Sequence, residues 1–301
     1  MIRRFVHPTV AVALALLLPG CRSLAVNSIG NAVAESGTNY SADEDPELVG
    51  DAVPFGLKTM EGLLESAPRH RKLLFATASG FTQYAFGWVQ QEADFSEAQS
   101  LARATELRDR ARKLYLRARD YGFRGLELDH PGFRDKVRQD PKAALAAMRK
   151  KDAPLLYWTA AAWAAAMALR INDSDLSADQ SVAAAIAERA LGLDEEYEAG
   201  SIHDFFISYE SARATVGGSR AEARRHLERA LAIANGRRAW PYVGFAESVC
   251  VGEQNRKEFQ ELLDKALAID VSRPVPYRTA NLLAQKRARW LLGRADELFI
   301  E

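Results

Sequence analysis

Arg189-Ala190-Leu191-Gly192-Leu193-Asp194 returns as Arg229-Ala230-Leu231-Ala232-Ile233-Ala234 and again as Lys265-Ala266-Leu267-Ala268-Ile269-Asp270. The offsets are 40 and 36 residues, and a weaker echo, Arg117-Ala118-Arg119-Asp120, lies 72 residues before the first copy. Self-similarity at such a period marks stacked supersecondary units rather than one irregular core. The starts of two of these helices recur as well. Ser219 with Glu222 and Asn255 with Glu258 both read as a capping box, each set 11 residues ahead of its repeated alanine.

Each repeated helix carries small or apolar residues at x, x+4 and x+7: Ala111/Tyr115/Ala118, Ala183/Ala187/Ala190, Ala223/Leu227/Ala230 and Phe259/Leu263/Ala266. Small residues let paired helices approach closely while larger ones fill the groove between them. A pair leaves one apolar face open for the next pair to cover. The fold class expected is therefore all-α, with stacked tetratricopeptide-like helical hairpins forming a superhelical domain with a concave cleft or pore. The period is irregular, with an insertion between residues 122 and 152, and the first helices lack the usual Trp and Gly signature.

The helical text begins at Asp45-Pro46-Glu47, an N-cap, a proline at the first helical position and an acid in the first turn. Turn signals then fall at Pro68, Pro131-Gly132, Pro141, Gly200, Gly217-Gly218 and Pro274. The segment from Ala153 to Leu169 is the most apolar beyond the N-terminus; a buried central helix and a membrane span are both open readings, and its alanine richness favours the former. Ahead of Asp45, residues 21–44 are small and polar, a tether of roughly 25–30 Å as a flexible coil, with room for a short helix.

At the N-terminus, Arg3 and Arg4 precede an apolar run, Val10–Leu18, that closes on Leu18-Pro19-Gly20-Cys21. Nine apolar residues are too few for a hydrocarbon core that needs about 20 in a helix. Residues 1–20 read as a signal peptide and Gly20-Cys21 as a bacterial lipobox, so Cys21 would carry lipid; an ordinary secretory signal is the alternative. Arg22 after the cysteine, in place of an acid, suggests sorting to the outer membrane, with the body in the periplasm. Cys250 is then left without a disulfide partner.

The chain of 301 residues has 48% apolar composition, enough for a sizeable core. Without Arg3 and Arg4 its 40 basic side chains become 38 against 40 acidic ones, a balance that argues against nucleic-acid binding. Residues 101–151 nevertheless hold 15 Lys/Arg against 7 Asp/Glu, and residues 41–66 hold seven acids against Lys58 alone. These are solvated helix faces or a docking surface for a partner or anionic lipid.

No catalytic motif emerges. His7, His70, His130, His203 and His226 form no HExxH arrangement, no CxxC occurs, and GxSxG, P-loop and GxGxxG patterns are missing, so neither enzyme activity, metal nor cofactor is indicated. Candidate lining residues for a ligand or partner come from position alone. Trp158 and Trp163, five apart, face different ways; one in the core with the other on the concave surface, and both in the core, are equally open readings. Glu247 interrupts the apolar stretch Val243–Val251, where Cys250 reads as core. Asn281 and Gln285 share a helix face. Tyr84 and Tyr242 complete the set.

Taken together, the lipobox, Asp45-Pro46-Glu47-Leu48, Pro54-Phe55-Gly56-Leu57, Tyr84-Ala85, Tyr157-Trp158-Thr159-Ala160-Ala161, Gly200 with His203, Gly217-Gly218, and Asn281 with Arg287-Ala288 resemble the T component of TRAP transporters, the TatT family. The resemblance spans nearly the whole chain. It implies a non-catalytic periplasmic lipoprotein of stacked helix pairs, a homotrimer that docks a DctP-type solute-binding protein, and a pore or cleft in each protomer for a small hydrophobic ligand. A peptide-binding scaffold lipoprotein of an outer-membrane assembly machine is the second expectation from the repeat architecture, and an envelope hydrolase a third.

Overall fold

The computed structural model describes residues 28–34, 40–169, 179–213 and 218–300. Among them there is no strand. Cys21, the lipobox and Gly217 lie outside the described residues.

The helices are α1 (Pro46–Ser66), α2 (Arg71–Tyr84), α3 (Gln91–Ser96), α4 (Leu101–Leu126), α5 (Phe133–Gln139), α6 (Pro141–Ala146), α7 (Ala153–Ala168), α8 (Gln180–Leu193), α9 (Ser201–Ala212), α10 (Arg220–Ile233), α11 (Trp240–Phe245), α12 (Arg256–Leu267), α13 (Arg278–Gly293) and α14 (Ala295–Leu298). Two π-helical turns, Ala85–Gln90 and Ala246–Cys250, follow α2 and α11. Local chemistry fixes the starts. Asp45 accepts from the Glu47 and Leu48 amides, both at 3.0 Å, with Pro46 at the first position. Ser100 and Asp140 cap α4 and α6 in the same way.

All twelve residues of the x, x+4, x+7 series are buried, from Ala111 to Ala266, so the repeat marks the packing face. Packing runs mostly between neighbours: α1 on α2, α2 on α4, α4 on α7, α7 on α8, α9 on α10, α11 on α12, and α12 on α13. The α4–α7 crossing is close because Gly122 offers no side chain; a Cβ there would stand 2.1 Å from Thr159 Oγ1. The irregular stretch 122–152 is filled by the end of α4, α5, α6 and a 3₁₀ turn, Lys150–Asp152.

Helix α7 is the buried central helix that the alanine-rich segment suggested, with residues such as Leu156, Ala160, Trp163 and Ala166 fully enclosed. No described helix is long and apolar enough to cross a membrane. Its start is held by the fully buried Asp152, which accepts from Arg71 Nη2 at 2.8 Å and from the Arg149 amide at 3.1 Å.

The first and last long helices of the described body meet. Helix α13 touches α1, and Thr279 Oγ1 lies 2.6 Å from the Tyr40 carbonyl and 2.9 Å from that of Asp43. Arg278 pairs with Glu44. Residues 28–34 are helical, and Val33 and Ala34 pack on the cluster of Met60, Leu64, Leu73 and Leu74. The described part of 21–44 is thus laid against the helical body rather than extended from it.

Candidate functional site

The connection between α8 and α9 departs most from ordinary backbone geometry. A single 3₁₀ turn, Tyr197–Ala199, places Glu198 at φ 45° and ψ 48°, Ala199 at φ 55°, and Gly200 at φ 83°. Three consecutive residues in the left-handed region reverse the chain sharply. Only glycine enters that region without a steric cost, which for other residues is about 1–2 kcal/mol each. The reversal turns Tyr197 and Glu198 back toward α7.

There, Trp158 Nε1 donates to the Tyr197 hydroxyl at 3.0 Å, and that hydroxyl donates to Glu198 Oε1 at 2.9 Å. The Tyr157 ring packs against both, with centroids 4.8 Å from Trp158 and 5.9 Å from Tyr197. Tyr157 donates to the Ser201 carbonyl at 3.3 Å, which ties α7 to the first residue of α9. One turn along α9, Asp204 receives a two-pronged contact from Arg238, Nη1 at 3.2 Å from Oδ1 and Nη2 against Oδ2. Arg238 is 8% exposed and precedes α11, so four separate segments converge here.

The charged groups of this cluster are set by partial burial and by one another. Glu198 is solvent-exposed, yet desolvation by surrounding protein pushes its carboxyl above the usual carboxylate value, against the Tyr197 hydrogen bond and the Arg238 charge. Burial also pushes up Asp204, opposed by Arg238; since a guanidinium keeps its charge, the bidentate contact holds Asp204 as the ionised partner. The phenols of Tyr157 and Tyr197 are raised, chiefly by burial. Outside the same turn lies a recess of about 480 Å³ lined by Glu196, Ala199, Arg229, Ala232 and Ile233. It is shallow and open, and its one cation, Arg229, is already forked onto Glu195 at 2.7 Å on both oxygens.

Of the residues expected to line a ligand surface, Trp158 is nearly buried, with its indole N–H given to Tyr197. Trp163 is fully buried under the guanidinium groups of Arg119 and Arg138. Tyr84 accepts from Arg110 Nη2 at 3.2 Å and stacks on Trp88. Tyr242 is half-buried against the C-terminal core, its phenol raised by burial. Glu247 is bound by Arg287 through Nε at 2.8 Å and through Nη2. Asn281 and Gln285 are buried and engaged with backbone: Asn281 Oδ1 accepts from the Ala239 amide at 2.9 Å, and Gln285 Nε2 reaches the Ala266, Leu267 and Ile269 carbonyls. Neither amide pair is presented to an open surface, because unpaired backbone groups at α11 and α12 claim them first. Cys250 is fully buried, as a core cysteine.

Sequence reading missed Tyr197, Glu198, Asp204 and Arg238. The available signal was slight: Gly200 marks a turn, and Tyr197-Glu198 sit just inside it, in a connection where functional residues tend to gather.

Similarity to known proteins agrees with this architecture. An uncharacterized protein of Treponema pallidum (strain Nichols) is 29% identical over 321 residues, covering 98% of this chain and 99% of the relative. The family model for the TRAP transporter T-component matches residues 42–299, a span that takes in every helix from α1 to α14. The chain belongs to the TRAP transporter T-component family, whose members are accessory components of transport systems rather than a known enzyme family.

Proposed function

We propose that this chain serves its transport system as a periplasmic adaptor: it docks a DctP-type solute-binding protein and receives a small solute in the cleft beside Glu198. In this reading the helix pairs act as tetratricopeptide-like hairpins stacked into one body, whose last long helix, α13, touches α1. The observation that carries the reading is Glu198, accessible to solvent while walled by Tyr197, Trp158 and the Asp204–Arg238 pair. Core side chains are not left accessible and charged in this way. No chemistry on the solute is required.

In this reading residues 1–20 are removed as a signal peptide, Cys21 is acylated, residues 21–44 connect it to the helical domain 45–301, and the protein is held on the periplasmic face of the outer membrane. The solute is small and has an apolar part, to suit the Tyr157, Trp158 and Tyr197 rings. The working unit is a homotrimer.

The test is sedimentation of lipid-free protein alone and with a DctP-type binding protein encoded beside it. A mass of three chains, shifting when the partner is added, is expected. A single-chain mass with no shift at tens of micromolar overturns the docking and trimer claims.

A further inference from the structure

We infer that the end of the molecule around the α1–α2 turn rests on an anionic phospholipid bilayer, with Ile29 facing the lipid. This rests on the acylation of Cys21 proposed above.

The place where the body begins limits the choice of surface. Residues 28–34 form a helix seated on that end. Val33 and Ala34 pack on Met60, Leu64, Leu73 and Leu74, and a Cβ on Gly30 would stand 2.9 Å from Leu73 Cδ1 and 3.0 Å from His70 Nε2. The outward positions Ser28, Ile29 and Ala32 are all exposed, Ile29 at 53%. Ser28 is seven residues beyond Cys21. Even fully extended, that stretch reaches no more than about 25 Å. An acylated Cys21 therefore keeps this end near the bilayer, while the far end of α1, a helix of 21 residues, is about 30 Å further along.

Charge separates the two ends of α1 in the same sense. Beside the turn, Glu61 is shared by Lys58 and Arg117, and Asp129 by Arg71 and Lys151, with Arg71 also holding the buried Asp152. Arg69 and Arg124 are exposed, and neither has a carboxylate partner among the described residues. Arg124 is held at the turn, 5.0 Å over the Tyr121 ring with Nη2 3.5 Å from the Pro68 carbonyl. Against these two stands one exposed acid, Glu65, so cations are in excess here. At the other end Glu47 and Asp51 are exposed, and Glu44 pairs with Arg278. Near an anionic leaflet cations gain and acids lose, over a Debye length of about 8 Å. The turn is thus drawn down and the acidic end of α1 kept away. A neutral surface would give Arg69 and Arg124 no such gain, and a soluble protein partner would draw nothing from the nearness of Cys21.

The test uses the full mature chain with Cys21→Ser, so that no attached lipid contributes. It is sedimented with vesicles of phosphatidylcholine, with and without phosphatidylglycerol. Binding to the anionic vesicles is expected to be tighter by roughly tenfold or more, with the margin lost in high salt. Arg69→Glu with Arg124→Glu should remove the margin. Arg273→Glu with Arg289→Glu, the same change of charge at exposed positions on and just before α13, should keep it. A fluorophore on Ile29→Cys should shift to the blue on anionic vesicles, and one on Asp51→Cys should not; the fully buried Cys250 does not compete for the label. That readout decides even where a double variant fails to fold. Equal binding to both vesicle types, equal losses in the two double variants, or a blue shift at residue 51 and not at 29 overturns the assigned surface and leaves the acylation of Cys21 untouched. A natural chain whose Cys21 proves by mass spectrometry to carry no acyl group overturns the anchor reading and this placement together.

Discussion

Ala199 carries a left-handed backbone beneath a side chain that does nothing in the cleft, which separates strain from chemistry at this turn. Ala199→Gly elsewhere in a helical protein would cost 0.5–1 kcal/mol or so; here relief of the φ 55° conformation should offset that, leaving melting unchanged or raised by up to about 1 kcal/mol. A clear loss in thermal unfolding would mean the turn is not left-handed. Gly122 is the opposite case. Gly122→Ala sets a methyl 2.1 Å from Thr159 Oγ1 and should destabilise by roughly 1–3 kcal/mol, with Thr159→Ala in the same chain recovering part of it. A third residue-scale effect concerns His226, buried with its Nδ1 2.7 Å from that of His203. Burial, then the charges of His203 and Arg225, lower its pKa from 6.5 to about 4, with Glu222 and Glu195 opposing. His203 is lowered too by burial, with Glu195 opposing and Arg229 adding to the depression. The unfolded chain therefore binds more protons than the folded one between pH 6.5 and 4, so stability is lost as pH falls through that window, by on the order of 3 kcal/mol for His226. Denaturant midpoints measured from pH 7 to 4 should show this slope, and His226→Gln should flatten it.

At the scale of elements, much was legible because helix periodicity and caps are local. The repeated alanines identified the buried faces, and Ser219 and Asn255 do cap their helices, each accepting from the third residue's amide at 3.2 Å. The reciprocal half of each capping box is missing. Ser219 N–H donates instead to Glu210, and Asn255 N–H to the Cys250 carbonyl. Glu258 is drawn away to Arg224, joining α12 to α10 by two contacts at 2.8 and 3.0 Å. Sequence spacing cannot reveal that competition, since it depends on a partner 34 residues distant. Nor could it show the π turn Ala246–Cys250, where the segment Val243–Val251 reads as one uniform helix; an extra residue per turn leaves an apolar run still apolar. Gln285 was legible as polar but not in its task of capping α12. Gln285→Leu should leave three carbonyls short of a donor and destabilise by about 2–4 kcal/mol, while solute binding to the remaining folded protein stays as it was. A matching loss of affinity without a loss of stability would restore it as a lining residue.

For the whole molecule, the decisive contacts join residues nearly two hundred positions apart, and no periodic pattern encodes them. Arg287 lies between Asp94, within helix α3 just after the first π turn, and Glu247, in the second π turn. Its guanidinium donates to Asp94 at 2.9 Å and forks onto Glu247, while stacking over Trp290. Asp94 is shared with Arg108, which also holds Glu97 and is thereby kept firmly protonated. Around this pair the rings of Phe95 with Trp290 and Phe86 with Trp240 supply the apolar part of the same junction. Arg287→Leu removes the shared cation, leaving Asp94 and Glu247 partly buried with less compensation, and should cost about 3–5 kcal/mol. Arg225→Ala, which breaks only an exposed pair with Glu222 within one helix, should cost under about 1 kcal/mol and serves as the control. Hydrogen exchange gives the discriminating readout: in Arg287→Leu, protection should fall at α3, the two π turns and α13 together, before it falls in α7. Loss confined to α13 alone would show that the junction does not couple the ends, and that each helix pair holds its place through its sequence neighbours.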